Sequence, residues 1–151
     1  MNRNFNYTLT GISVFVLFFL SGCYTKNTFY VEGTVLFDDV PLSKAIVSFT
    51  PEESSPEGKF ASGMTNENGI FKLTIQPVGK ENAGTTAGNY IVTISRYEDT
   101  PSSRGKFPSG EEMPIFAQMI PLRYTLTNQS DLKAVVEKKK KNVFEFHLNK
   151  N

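Results

Sequence analysis

The sequence has few of the residues from which catalytic and metal sites are most often built. Its 151 residues include one cysteine, one histidine and no tryptophan. A single cysteine excludes both an intrachain disulfide framework and a four-ligand zinc site built around cysteine pairs. A single histidine, His147, is the only possible imidazole base for a serine nucleophile. We therefore expect no catalytic residues, no metal site and no cofactor.

An excess of charge of either sign is also missing. All 15 Asp and Glu follow residue 22, and setting aside Arg3, which precedes it, leaves 15 of the 16 Lys and Arg in the same part of the chain. A balanced chain has no positive field to attract a phosphate backbone, so we expect no nucleic-acid partner. The 39% of hydrophobic residues, with 13 Phe, is enough for the core of one ordinary domain.

The first long apolar run is too short to cross a membrane. Residues 12–20 read ISVFVLFFL, whereas a spanning helix needs about 20 apolar residues and the core of a secretory signal about 7–15. The run ends at Leu20, and Ser21, Gly22 and Cys23 follow. Leu20-Ser21-Gly22-Cys23 resembles the bacterial lipobox. The sequence therefore predicts a signal helix and lipoprotein signal peptide over residues 1–22, with lipid attachment at Cys23.

This prediction makes a membrane the first partner of the chain. Two or three fatty acyl chains, typically palmitate, are needed for a lasting anchor, because a single chain holds only marginally. Residues 23–29 then form a short tether to the first predicted strand. Tyr24 follows the cysteine where inner-membrane lipoproteins carry Asp, which favours the outer membrane or cell surface. An ordinary secretory signal that leaves a free thiol and a retained membrane helix are the alternatives.

The rest of the chain shows the period-2 alternation of strands with one buried face, and no convincing helical period. Seven strands are predicted, and they lie at residues 30–37, 45–50, 60–65, 70–75, 89–96, 131–136 and 142–148. Asn68-Gly69 between two of them predicts a tight hairpin turn. The last two strands read as a closing hairpin. Seven short strands predict a sandwich of two sheets.

Short motifs in these strands resemble one family of β-sandwich domains. They are Val31-Glu32-Gly33-Thr34-Val35, Pro41-Leu42, Ala45-Ile46-Val47-Ser48-Phe49, Asn68-Gly69-Ile70-Phe71 and Gly88-Asn89-Tyr90-Ile91-Val92-Thr93-Ile94. Together they resemble the carboxypeptidase regulatory-like, or transthyretin-like, family. Ile120-Pro121, Tyr124 and Ser130-Asp131-Leu132 resemble the lipoprotein members found in planctomycete-type bacteria.

The resemblance covers about residues 30–148 and implies an all-β, prealbumin-like Greek-key sandwich over residues 30–149. Members of this family are usually accessory or interaction modules without chemistry of their own. One hydrolase branch, which acts on 5-hydroxyisourate, uses more than one histidine and a terminal Tyr-Arg-Gly-Ser. This chain has one histidine and ends FHLNKN, which argues against that activity.

The remaining candidate residues have simple structural interpretations. His147 is expected on the solvent side of its strand, and the adjacent carboxylates Asp38-Asp39, Glu52-Glu53 and Glu111-Glu112 are expected to be solvated rather than bound to calcium. The run Lys138–Lys141 is expected at a solvated hairpin tip, with contact to anionic lipid headgroups or acidic polysaccharide as the alternative. Gly33 predicts a bulge or a close backbone approach.

The sequence thus predicts a non-catalytic cell-envelope lipoprotein whose sandwich is an interaction or structural module, with an envelope protein or a glycan as its partner. The alternative is a glycan- or peptide-binding module that uses the loops 51–59, 76–88 and 97–119. Aromatic residues for such a site would come from Tyr97, Phe107, Phe116 and Tyr124. We expect the apolar residues Met113, Ile115 and Phe116 of the long irregular segment 97–118 to tuck against the sandwich.

Overall fold

The computed structural model describes residues 28–75, 84–99, 105–113, 115–139 and 141–151. The predicted signal helix, Cys23, most of the tether and most of the loop 76–88 lie outside these residues. The described strands are Thr28–Phe37 (β1), Val40–Pro41 (β2), Ile46–Pro51 (β3), Ala61–Met64 (β4), Ile70–Lys72 (β5), Thr74–Ile75 (β6), Thr85–Thr86 (β7), Gly88–Ser95 (β8), Tyr97–Asp99 (β9), Gly105–Lys106 (β10), Glu112–Met113 (β11), Phe116–Gln118 (β12), Lys133–Val136 (β13) and Lys141–Leu148 (β14).

The described chain is all-β apart from one turn of 3₁₀ helix at Leu122–Tyr124. A first sheet is built on β1, which pairs with β14 along one edge and with β2, β5 and β7 along the other. A second sheet has the order β13-β8-β3-β4-β6. Among the described residues no helix is long and apolar enough to span a membrane. The all-β fold expected from the alternation is therefore confirmed, with the two-layer layout of a β-sandwich.

The buried faces of the strands are the ones that the alternation predicts. Val31 and Val35 of β1, Val47 and Phe49 of β3, and Val92 of β8 are fully buried. Side chains of both sheets join in one core cluster, in which Phe49 contacts the rings of Phe71, Tyr90, Phe144 and Phe146. Because every second residue points inward, the sequence identifies the core without identifying strand partners.

The predicted strand 70–75 is divided between the two sheets. Its first half, β5, pairs with β1, whereas its second half, β6, pairs with β4. Leu73 lies between the halves, and its N–H donates to the carbonyl of Val31 (3.1 Å). The backbone of Lys72 passes so close to Gly63 that a Cβ there would lie 2.2 Å from the Lys72 oxygen. Glycine at position 63 therefore permits the chain to cross between sheets.

Two tight turns, at residues 38–39 and 66–69, connect consecutive strands. Asp38 and Asp39 both have positive φ, 48° and 63°, between the paired Phe37 and Val40, as in a two-residue hairpin loop. Asn66 Oδ1 accepts from the backbone N–H of Asn68 and of Ile70 at 3.0 Å each. Gly69 has φ 72°. The tight turn predicted at Asn68-Gly69 is thus confirmed.

The closing hairpin predicted for the last two strands is wrong. β13 pairs antiparallel with β8 in the second sheet, and β14 pairs parallel with β1 in the first. The connection between them therefore passes from one layer to the other. Ala134 and Val136 still face the core with Phe146 and Leu148, so the inward faces were correct while the pairing was not.

Candidate functional site

The sandwich has two ends that differ in what they carry. At the end that we name proximal, β1 starts at Thr28 opposite Thr86, β8 starts at Gly88 opposite Val136, and β14 starts at Lys141 opposite Tyr30. At the distal end, β8 finishes at Ser95 opposite Ile46. The eight residues of β8 separate the two ends by about 26 Å.

A two-stranded hairpin leaves the distal end directly after β8. We name residues 97–118 the arm. Its two strands pair at the base, Tyr97 with Gln118 and Asp99 with Phe116, and again further out, Gly105 with Met113. At its tip the N–H of Phe107 donates to the Glu111 carbonyl (2.9 Å). The expectation of an irregular connection is therefore wrong at these positions.

The apolar residues of the arm are exposed instead of tucked against the sandwich. Tyr97 and Phe116 keep 53% and 59% of their surface accessible. Directly paired residues share a face of a sheet, so Tyr97 and Phe116 lie on one face of the arm as diagonal neighbours. The expectation that Met113, Ile115 and Phe116 pack on the sandwich is wrong, because each of them is exposed.

The base of the arm is fixed to β8 by polar contacts. The backbone N–H of Arg96 donates to Gln118 Oε1 (3.1 Å), and the N–H of Met119 donates to the Arg96 carbonyl (2.8 Å). The Arg96 guanidinium forms an ion pair with Glu98. Within the described residues, Arg96 Nε and Gln118 Nε2 are buried without a hydrogen-bond partner. The base thus joins the arm to the end of a core strand.

The three loops proposed for ligand binding lie at opposite ends. Residues 51–59 and 84–89 meet at the proximal end, where Ser55 Oγ accepts from the N–H of Asn89 (2.7 Å) and the Lys59 N–H donates to Thr86 Oγ1 (3.0 Å). The 97–119 segment is at the distal end. Of the four aromatic candidates, Tyr97, Phe107 and Phe116 are exposed on the arm, whereas Tyr124 is 4% exposed and belongs to the core.

His147 lies on the solvent-facing side of β14, as the alternation predicts. Its Nε2 is 2.7 Å from Glu145 Oε1, and its Nδ1 is 3.7 Å from Asp39 Oδ1. The hydrogen bond to Glu145 and the nearby Asp39 charge raise the pKa of His147 above its ordinary value of 6.5. Its charged neighbours are carboxylates, which stabilise an imidazolium and supply no hydroxyl or thiol nucleophile.

The lysine run lies at the proximal end, beside the first strand. The ammonium group of Lys139 is 2.9 Å from Glu137, and that of Lys141 is 2.6 Å from Glu32. The hydrogen bond to Lys141 lowers the pKa of Glu32, and the same bond raises the pKa of Lys141. Both groups are therefore charged at neutral pH.

Asn142 is a buried polar residue that the sequence reasoning missed. Its Oδ1 accepts from the N–H of Glu137 (2.9 Å), and its Nδ2 donates to the Glu137 carbonyl (3.2 Å). It therefore holds Glu137, which follows β13, against the start of β14. The available signal was an asparagine at an inward position of an otherwise apolar alternation.

Metal ligands do not cluster in the described part of the chain, where no group of three or more His, Cys, Asp or Glu could hold an ion. Asp38 Oδ1 accepts from the N–H of Lys150 (3.2 Å), and Glu52 forms an ion pair with Lys133 (2.9 Å). These members of the carboxylate pairs therefore act as local structural contacts. Cys23, the predicted lipid attachment site, lies outside the described residues.

Comparison with known proteins gives little resemblance. No protein-family model and no curated protein matches the chain. Among solved structures, the chain is similar to part of a 9R-lipoxygenase from Cyanothece PCC8801, with 13% identity and a TM-score of 0.43. The match covers 82% of this chain and 16% of the lipoxygenase.

Proposed function

We propose that the protein is an exported lipoprotein of the bacterial cell envelope, anchored through acyl chains on Cys23, whose sandwich is a non-catalytic interaction module. The observation that carries this proposal is the polarity of the fold. β1 starts at Thr28, five residues after Cys23, and five residues reach at most about 18 Å. The proximal end thus stays near the lipid, and the arm projects from the far side.

The exposed arm is the surface that we assign to a partner in the envelope. A contiguous apolar surface on a small soluble domain commonly marks an interaction site, and aromatic residues are enriched in the central parts of protein interfaces. Tyr97 and Phe116 share one face of the arm with Asp99. These residues present a mixed aromatic and acidic surface away from the membrane.

The family assignment is part of the same proposal. The order β13-β8-β3-β4-β6 in one sheet and the parallel pair of β1 with β14 in the other support a Greek-key sandwich of the carboxypeptidase regulatory-like type. An accessory module of this kind needs no catalytic residues. Its location would be the outer membrane or cell surface, as Tyr24 favours.

The anchor is tested by labelling cells with radioactive palmitate. Wild-type protein is expected to carry label and to sediment with membranes, whereas Cys23→Ala removes the thiol that accepts the diacylglyceryl group and should carry none. Tyr24→Ala, one residue further along, is the matched control and should remain labelled. Membrane retention and labelling of the Cys23→Ala protein would contradict the proposal.

The partner surface is tested by placing a photoreactive residue at position 116 or 143 in cells. Phe116 and Val143 are both about three-fifths exposed, but only Phe116 is on the arm. We expect a protein adduct from position 116 that disappears when Tyr97 is also changed to Ser, and none from position 143. Equal adducts from both positions would indicate random collision and contradict the assignment.

A glycan- or peptide-binding module is the second candidate, favoured by the three exposed aromatic side chains on the arm. Its test is a titration of the protein with neutral oligosaccharides and with short peptides, in which the amide chemical shifts are measured by NMR. Shifts concentrated at Tyr97, Phe107 and Phe116 would favour this candidate. Unchanged arm resonances would leave the protein-contact proposal as the better account.

A further inference from the structure

We infer that the loop 137–141, named here the basic loop, rests on anionic phospholipid headgroups and so holds the domain upright on its membrane. The inference depends on the proposed anchor at Cys23 and adds a second, electrostatic contact to it. Four of the five residues of the loop are lysines and one is a glutamate. Acylation alone fixes one point of the chain and leaves the domain free to swing about its tether.

The position of the basic loop follows from strand register. β14 runs parallel to β1, and Lys141 lies opposite Tyr30, two residues after the start of β1. The loop therefore leaves the sandwich on the same side as the tether and next to it. Any short tether that brings Thr28 to the bilayer brings Lys138 and Lys139 to it as well.

Asn142 fixes one end of the basic loop, and Lys138, Lys139 and Lys141 face solvent. Asn142, which is 1% exposed, binds both backbone groups of Glu137, and its Nδ2 is 3.5 Å from the Tyr30 carbonyl on β1. Lys138 and Lys139 are exposed. The contact would therefore cost little conformational entropy in the backbone at Glu137, which Asn142 already holds in place.

Acidic groups also lie at this end, and several of them hold a lysine. Glu137 and Glu32 each hold one lysine of the loop, and Glu52 holds Lys133. Glu57 lies on the other side of the start of β1, because its carbonyl accepts from Oγ1 of Thr86, which pairs with Thr28. On the side of β1 that carries β14, the four lysines of the basic loop outnumber Glu137 and Glu32.

The inference is tested with the acylated protein in vesicles by energy transfer from a labelled cysteine to acceptor lipids. Acylation occupies Cys23, so Val143→Cys or Ser109→Cys supplies the only free thiol. Val143 lies two residues after the loop, and Ser109 lies in the tip of the arm. Adding phosphatidylglycerol to phosphatidylcholine vesicles should raise transfer from position 143 and lower it from position 109.

High salt should abolish both changes, because the screening length falls from about 10 Å at 0.1 M to about 3 Å at 1 M. Lys138→Gln/Lys139→Gln should lose the response, and Lys44→Gln/Lys150→Gln, which removes the same charge at the distal end, should keep it. A response that persists in Lys138→Gln/Lys139→Gln, or no difference between the two kinds of vesicle, would overturn the inference.

Two further outcomes separate this inference from the proposed anchor. Normal acylation with no response to phosphatidylglycerol would overturn the basic-loop contact and leave the anchor intact, whereas a protein without acyl mass would remove the anchor on which the inference depends. A change in donor emission at position 143 on adding soluble alginate, with none for phosphatidylglycerol, would assign the loop to an acidic polysaccharide and overturn the lipid contact.

Discussion

At the scale of residues, the direction of each side chain decides whether it is buried. Phe71, Leu73 and Ile75 were expected on one face, and all three are buried although they belong to a segment that changes sheet. Burial depends on side-chain direction, which alternates with every residue. The close approach expected at Gly33 is confirmed, since a Cβ there would lie 2.4 Å from the Phe144 oxygen. Gly63 could not be recognised, because its neighbour Lys72 is brought near only by the tertiary fold.

Val92→Asp is expected to unfold the domain. Val92 is fully buried in β8, and an unpaired buried charge costs about 3–5 kcal/mol against a total stability of about 5–15 kcal/mol. Thermal denaturation monitored by circular dichroism measures the loss of stability. Val135→Asp, on the exposed side of the neighbouring β13, is the matched control and should melt near the wild type. A Val92→Asp protein as stable as the control would show that the core face is misassigned.

Gly63→Ala should destabilise the protein by about 1–3 kcal/mol through overpacking. The added methyl would lie 2.2 Å from the Lys72 oxygen, which is backbone and cannot rotate away. Gly105→Ala is the comparison, because its Cβ would meet Met113 at an ordinary 3.6 Å. Equal denaturation midpoints for the two variants would mean that the crossing of strands at Gly63 is looser than described.

The ring of His147 should titrate above 6.5. Glu145 and Asp39 stabilise its charged form, so the stabilisation is fully present below the unfolded pKa, about 6.5, and is lost as the pH rises through the higher folded pKa. Because His147 is the only histidine, its ring protons can be followed by NMR without ambiguity. Glu145→Gln should lower the pKa, and Glu32→Gln, on the same sheet face, should leave it unchanged. A His147 pKa that falls in Glu32→Gln and stays unchanged in Glu145→Gln would contradict the contact between His147 and Glu145.

At the scale of elements, strands were easier to predict than their partners. Each of the seven predicted segments contains a described strand, because alternation of apolar residues is a local property. Pairing is not local: residues 131–136 and 142–148 are close in sequence, yet they join different sheets. The loop 137–141 is long enough to cross between layers, and its lysines resemble an ordinary hairpin tip. Nothing in the alternation distinguishes the two arrangements.

The arm is the element that the sequence did not predict. Its proline and glycine residues interrupt the alternation, and its scattered apolar residues look like loop anchors, so its exposure appears only in the structure. Because Phe116 has few contacts to lose, Phe116→Ser is expected to change stability by no more than about 0.5 kcal/mol. Tyr124→Ser, which empties a core position, should cost several times more by denaturant unfolding. A large loss for Phe116→Ser would mean that the arm packs on the sandwich.

At the scale of the whole molecule, the fold separates two tasks along its length. The proximal end carries the start of β1 and the basic loop, and the distal end carries the arm. A chain anchored at Cys23 would therefore present its aromatic surface about one strand length, roughly 26 Å, from the proximal end. The central claim is that a lipid on Cys23 holds the proximal end at a membrane, so that the arm lies on the side away from it.

The intact mass of the native protein extracted from its host's membranes tests that claim most directly. The account predicts a chain that begins at Cys23 and carries the added mass of a diacylglyceryl group, with or without a further acyl chain. An unmodified chain recovered from the soluble fraction would contradict it. Cys23 would then be a free thiol, and the arm would belong to a released binding protein.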